Sequence, residues 1–173
     1  MADKLRELLL LRHAKSDWKD SEIPDRERPI SIKGKKAACK MAHWLKEQKR
    51  YPDLVWVSPA KRAQQTLKRL SLPKDIAVET RDELYMADTQ TLLSLLSQVP
   101  KSFKRVLLIG HNPGLEDLIH FFSGAVDDGH TKLLPTAALA QLVLSHDWQN
   151  LTAGDGRLSD IIRPKDIKLP IKQ

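Results

Sequence analysis

The chain has 173 residues, 41% of them hydrophobic and 29% charged, the proportions of one globular domain spanning residues 1–173 and not of a disordered or collagen-like chain. A single cysteine, Cys39, allows no internal disulfide; no apolar run approaches the roughly 20 residues of a membrane span; and the charged start MADKLRELLLLRHAKSD does not read as a signal peptide, so a cytoplasmic protein is expected. The net charge of +7 leaves three partner classes open: nucleic acid, an acidic membrane surface, or an anionic substrate.

Leu8 to Leu11 is a continuous apolar run, fit for a strand buried on both faces. Ser31 then offers a helix N-cap, and Ala38, Met41, Ala42 and Leu45 follow at i, i+3, i+4 and i+7, predicting a helix that ends near Tyr51-Pro52. Seven cations between Lys33 and Arg50, against Glu47 alone, mark this helix with a solvated basic face. Cys39, beside the apolar stripe, is expected to pack as a small hydrophobe. Leu54 to Val57 reads as a second strand, followed by Pro59 at a first helical position and a helix to about Leu70. A third strand is placed at Ile76 to Glu79 and a helix at Thr89 to Val99, closed by Pro100. Arg105 to Ile109 is the clearest strand; Gly110-His111-Asn112-Pro113-Gly114 and an amphipathic helix through Phe122 follow it. A strand from Ala138 to Leu144 ends the sheet, and residues 149–173 are read only as cover for a sheet edge.

Strands alternating with helices predict an α/β fold, a mostly parallel sheet covered on both faces, whose ligands bind where strands end and helices begin. The charged residues at those points are few. Arg12-His13 follows the first strand, Ser58 and Arg62 the second, and His111-Asn112 the fourth. Two histidines and two arginines meeting in one crevice would form a cationic pocket of phosphate size, because guanidinium forks bind phosphoryl oxygens and neutral imidazole is a nucleophile toward phosphorus. No acid stands three or four positions from Arg62, so its charge is expected to be available to a ligand.

The segments Leu10-Leu11-Arg12-His13-Ala14, Ser58-Pro59-Ala60-Lys61-Arg62-Ala63-Gln64-Gln65-Thr66 and Gly110-His111-Asn112-Pro113-Gly114, in that order, resemble the histidine phosphatase (phosphoglycerate mutase-like) superfamily. Arg12 to Trp18, followed by Asp25, Arg28-Pro29 and Gly34 and without long insertions, is similar to the SixA-type phosphohistidine phosphatases in particular. The resemblance implies a three-layer α/β/α sandwich and a metal-independent phosphatase without cofactor, forming a phosphohistidine at His13. It also implies that Arg12, Arg62 and a protonated His111 hold the phosphoryl oxygens. Glu83, with Asp82 competing, lies in the stretch where relatives carry a proton donor. Arg28, Ser16 and Asn112 are expected to contact substrate, with Lys15 and Trp18 on the rim; a loop ion pair between Asp25 and Arg28 is the competing reading. Ala14 stands where the family motif has glycine, and its methyl group disfavours positive φ.

The substrate class expected from this resemblance is a protein phosphohistidine, on a phosphotransfer or phosphocarrier domain. A phosphatase or mutase for small metabolites and a non-catalytic phospho-binding module are the alternatives. Residue 45 is Leu, which excludes the Cys-x5-Arg loop of cysteine phosphatases at Cys39. There is no zinc-ligand spacing and no Gly-rich nucleotide loop, and the basic stretch lacks the interleaved aromatics and recognised motifs that nucleic-acid binders usually show.

Overall fold

A computed structural model describes residues 5–171. In chain order the elements are β1 (Arg6–Arg12), α1 (Ile32–Glu47), β2 (Leu54–Val57), α2 (Lys61–Leu70), β3 (Ala77–Thr80), α3 (Thr89–Leu96), β4 (Arg105–Gly110), α4 (Gly114–Ser123), β5 (Leu139–Leu144) and β6 (Gly156–Ile162). They form one six-stranded sheet in the order β3-β2-β4-β1-β5-β6. β1 and β2 pair in parallel with β4, β3 pairs in parallel with β2, β5 runs against β1, and β6 against β5.

The period of two in a strand explains why these apolar runs are continuous. Leu8, Leu10, Leu54, Trp56, Val106 and Leu108 face one side and pack with Leu92, Leu95 and Leu96 of α3 and Leu115, Leu118 and Phe122 of α4. Their alternates Leu9, Leu11, Val55, Val57, Leu107 and Ile109 face the other side, with Met41 and Leu45 of α1 and Ala63 and Leu70 of α2. The result is the three-layer α/β/α arrangement.

Local chemistry sets the helix starts. The Ser31 side chain accepts the Gly34 N–H at 3.0 Å, and the Asp88 carboxylate accepts that of Thr91 at 2.9 Å. A Cβ at Gly34 would lie 2.5 Å from the Lys15 carbonyl oxygen, so glycine lets α1 close against the loop that follows β1.

Three expectations are corrected. The sheet does not end with β5, because β6 (Gly156–Ile162) forms its last strand; only Ile162 on it is buried, so the segment carries little hydrophobic signal. Helix α2 begins at Lys61 rather than Pro59, since Ser58 Oγ accepts the Ala60 N–H at 3.2 Å and keeps Pro59 ahead of the cap. Cys39 is exposed: the buried stripe of α1 is Gly34, Ala38, Met41 and Leu45, and one residue past Ala38 the helix has already turned outward.

Candidate active site

Parallel strands in register end together, and here the hydrogen-bond ladder runs on into the site. Arg12 pairs with Gly110 and Val57 with Ile109. Beyond the strands, His13 N–H donates to Gly110 O at 3.1 Å and Ser58 N–H to Ile109 O at 3.0 Å. The three loop starts are thereby set side by side. A cleft of about 230 Å³ opens above them, lined by residues that include Arg12, His13, Ser16, Asp25 and Arg62.

The rings of His13 and His111 lie 5.2 Å apart, centroid to centroid. His13 Nδ1 is 2.8 Å from the Ala14 carbonyl oxygen. A carbonyl only accepts, so Nδ1 carries the proton and Nε2 keeps a lone pair. Burial, with Arg62 and Arg12 close by, draws the His13 pKa down to about 4 against the Ala14 hydrogen bond, leaving the ring neutral at neutral pH. Ala14 itself is fully buried among Ile30, Ala38 and Ala137. It is not among the residues with positive φ, so its methyl group introduces no backbone strain.

His111 is buried, and both of its ring nitrogens are occupied. Nε2 lies 2.7 Å from Ser58 Oγ, and Nδ1 lies 3.4 Å from Arg62 Nη2. Guanidinium only donates, so Nδ1 accepts and Nε2–H donates to Ser58. Burial first, then the proximity of His13 and Arg62, lower the His111 pKa to about 3. His111 is therefore neutral at neutral pH; the protonated donor that the resemblance implies is one favoured by a bound anion.

Arg62 departs from expectation as well. Its Nη1 donates to the Asp25 carbonyl at 2.6 Å and its Nη2 to the Asp25 carboxylate at 3.0 Å, so its charge is not free but partnered by a distant segment. The Tyr85 hydroxyl donates to the same carboxylate oxygen. That hydrogen bond first, and the Arg62 contact after it, hold Asp25 below the ordinary carboxylate range despite some burial cost. The edge of Tyr85 also meets the His111 ring at 5.5 Å.

The supporting layer is built from the motif residues. Thr66 Oγ1 accepts the Ala14 N–H at 2.9 Å and donates to Arg62 O at 2.7 Å, tying the His13 loop to α2. Gln64 donates to Ser58 O and Gln65 accepts the Ile30 N–H, each at 2.9 Å. Arg12 donates to Leu134 O at 3.3 Å while its Nε, buried, has no partner. Burial lowers the Arg12 pKa and the charge of Glu116 opposes that.

Other expected positions fall outside the cleft. Glu83 is exposed, 3.4 Å from Arg81, and faces a separate hollow beside α3, so it does not join the two histidines. Asp82 pairs with Arg26. Arg28 is buried and bonds the carbonyls of Asp17, Asp20 and Ile23 while stacking 3.7 Å from the Trp18 ring centroid. It braces its own loop instead of reaching a ligand or pairing with Asp25. Asn112 uses both side-chain protons, on Glu116 Oε1 at 3.0 Å and Leu134 O at 2.9 Å. Ser16 bridges to Ile30 and does line the cleft. Among the described residues, no cluster of three or more His, Cys, Asp or Glu is placed to hold a metal.

Similarity to known proteins extends over the sequence and the fold. The family model described as histidine phosphatase superfamily (branch 1) matches residues 8–92. A solved structure assigned to phosphohistidine phosphatase SixA of Nakamurella multipartitia superposes with a TM-score of 0.80 at 26% identity, covering 92% of this chain and 96% of that one. Over residues 8–92 the chain is similar to the histidine phosphatase superfamily. It is 28% identical to phosphohistidine phosphatase SixA of Escherichia coli over 94% of this chain and 97% of the relative. It is also 29% identical to an uncharacterised chloroplast protein of Arabidopsis thaliana, over 92% of this chain and 78% of that protein.

Proposed function

We propose that this protein is a member of the histidine phosphatase superfamily, a phosphatase that carries the phosphoryl group on Nε2 of His13 and acts on phosphohistidine in a protein. The observation that carries the reading is the His13–Ala14 hydrogen bond at 2.8 Å, which aims the proton away and leaves a neutral nucleophile at the end of β1. In the first step the Nε2 lone pair attacks phosphorus and the P–N bond of the substrate breaks. The leaving imidazole departs neutral when its other ring nitrogen holds a proton, which lessens the need for a strong acid and suits a cleft without Glu83. In the second step water attacks the phosphorus, the bond to Nε2 breaks, and dihydrogen phosphate leaves. Arg12 and Arg62 spread the equatorial charge, with no metal in the step, and His111 joins them once the bound dianion favours its protonated form. Asp25 is the anion that the phosphoryl group displaces from Arg62. A cytoplasmic setting belongs to the same reading, supported by the single cysteine.

The test is turnover, with chelator present, of a phosphohistidine-bearing domain and a panel of phosphomonoesters by the wild type and His13→Ala. Rapid denaturation at alkaline pH would trap phospho-His13. Preference for phosphohistidine that vanishes in the variant establishes the reading. Turnover of metabolites alone keeps the nucleophile and replaces the substrate class, and tight phosphate binding without turnover makes the chain a binding module.

A further inference from the structure

Beside the reaction cleft lies a second depression of about 350 Å³, and the two share Lys15 and Thr136 in their walls. Lys15, Lys33, Arg163 and Lys165 surround it over an apolar floor that includes Pro135 and Pro164, and no carboxylate lines it. Lys15, Lys33 and Lys165 are exposed. None of the four cations makes an ion pair among the described residues. Arg163 is fixed by one bond to the Leu133 carbonyl at 3.3 Å, and its buried Nε has no partner. The acids nearest in chain or field lie outside the groove: backbone hydrogen bonds from Thr131 and His130, and last the charge of Arg163, hold Asp128 below its ordinary range, and Asp166 faces the hollow beside His43 and Trp44 that Arg163 also borders.

The four cations come from three segments, the loop after β1, the first turn of α1 and residues 163–165. Like charges gathered around a groove that no carboxylate lines repel one another, and an anionic partner relieves that repulsion. The long exposed lysines suit several carboxylates spread over a surface more than one compact anion.

We infer that this groove seats carboxylates flanking the phosphohistidine on the protein substrate, so that the partner docks across the groove while its phosphoryl group enters the cleft. This inference rests on the phosphatase reading above. Lys33 and Lys165 lie outside the reaction cleft, so reversing their charge separates docking from chemistry.

The experiment compares wild type with Lys33→Glu/Lys165→Glu on a histidine phosphotransfer domain phosphorylated with phosphoramidate, and on phosphoramidate itself. The expected result is about a tenfold fall in kcat/KM for the domain, carried by KM and diminished in high salt, with phosphoramidate turnover unchanged. Neutralising the carboxylates around the histidine of the domain should slow the wild type and remove the difference between the two enzymes. An equal loss on both substrates, or no loss on the domain, overturns the inference while leaving the phosphatase standing. Charge reversal that instead slows a small bisphosphate and spares the domain overturns it too. Failure of the wild type to turn over either substrate refutes the phosphatase reading itself, and the docking inference with it.

Discussion

Strands β1, β2, β3 and β4 run the same way, whereas β5 and β6 reverse direction in turn beside β1. The parallel part has both faces buried at its centre and delivers three strand ends to one edge, each followed by a charged or hydroxyl side chain. The antiparallel flank is sealed mainly on one face: Ala140, Leu142 and Leu144 are buried, while Gln141 and Val143 between them are half exposed. Connection geometry accounts for the difference. A parallel strand needs a crossover, so its chain always re-enters at the same end and its exits accumulate at the other. Antiparallel strands exit at alternate ends and gather no such crevice; this flank contributes Arg163 and Lys165 beside the site from a chain end that follows it.

Breaking the parallel edge should have the largest effect. His13→Ala should lower turnover by at least about 10⁴-fold, as loss of a nucleophile does, with no phosphoenzyme trapped in rapid-quench experiments. Arg62→Ala should cost roughly 10²- to 10³-fold in kcat, the range for removing one donor aimed at developing charge, and phosphate affinity measured by titration should drop with it. The stability contrast follows the same division. Leu10→Ala, in the doubly covered strand, should lower unfolding free energy by about 2–5 kcal/mol, whereas Val143→Ala on the open face of β5 should cost about 1 kcal/mol or less, both read from urea melts.

The pH response sharpens the comparison, because the depressed histidines sit at the parallel edge. The folded pKa values of His13 and His111, about 4 and about 3, lie below the ordinary 6.5, so the unfolded chain takes up protons that the folded chain refuses. Stability should fall as pH drops from about 6.5 toward 4, a slope that His111→Gln should flatten in thermal melts. The acid limb of kcat/KM should fall near pH 4, where His13 takes a proton and loses its lone pair. The smallest change is Tyr85→Phe. It removes the hydrogen bond that contributes most to holding Asp25 low, and should raise the Asp25 pKa while altering kcat less than tenfold.

The parallel core was legible because burial on both faces writes itself as continuous apolar runs, and β1, β2 and β4 are such runs. Edge strand β6 was not legible, since it needs few buried side chains and takes its hydrogen bonds from β5. The same contrast holds in the site. Arg12, His13, Ser58, Arg62 and His111 directly follow strands or open a helix, positions that topology makes predictable. Tyr85 and Asp25 act across long chain separations, Asp25 on Arg62 and Tyr85 on Asp25, so no local spacing could reveal those pairings. Ser16 lines the cleft, whereas the side chains of Arg28 and Asn112 are occupied with backbone carbonyls and, for Asn112, Glu116.

By itself the sequence determined the α/β order, the doubly buried strands and the strand ends where the histidines and arginines gather, because periodicity and strand-end position are local properties. Only the tertiary structure decided that Arg62 is held by Asp25, that His111 is neutral between Ser58 and Arg62, and that residues 163–165 join Lys15 and Lys33 around one groove. Partner choice and protonation depend on which atoms meet in space and how much water is excluded there, and neither is written in spacing along the chain.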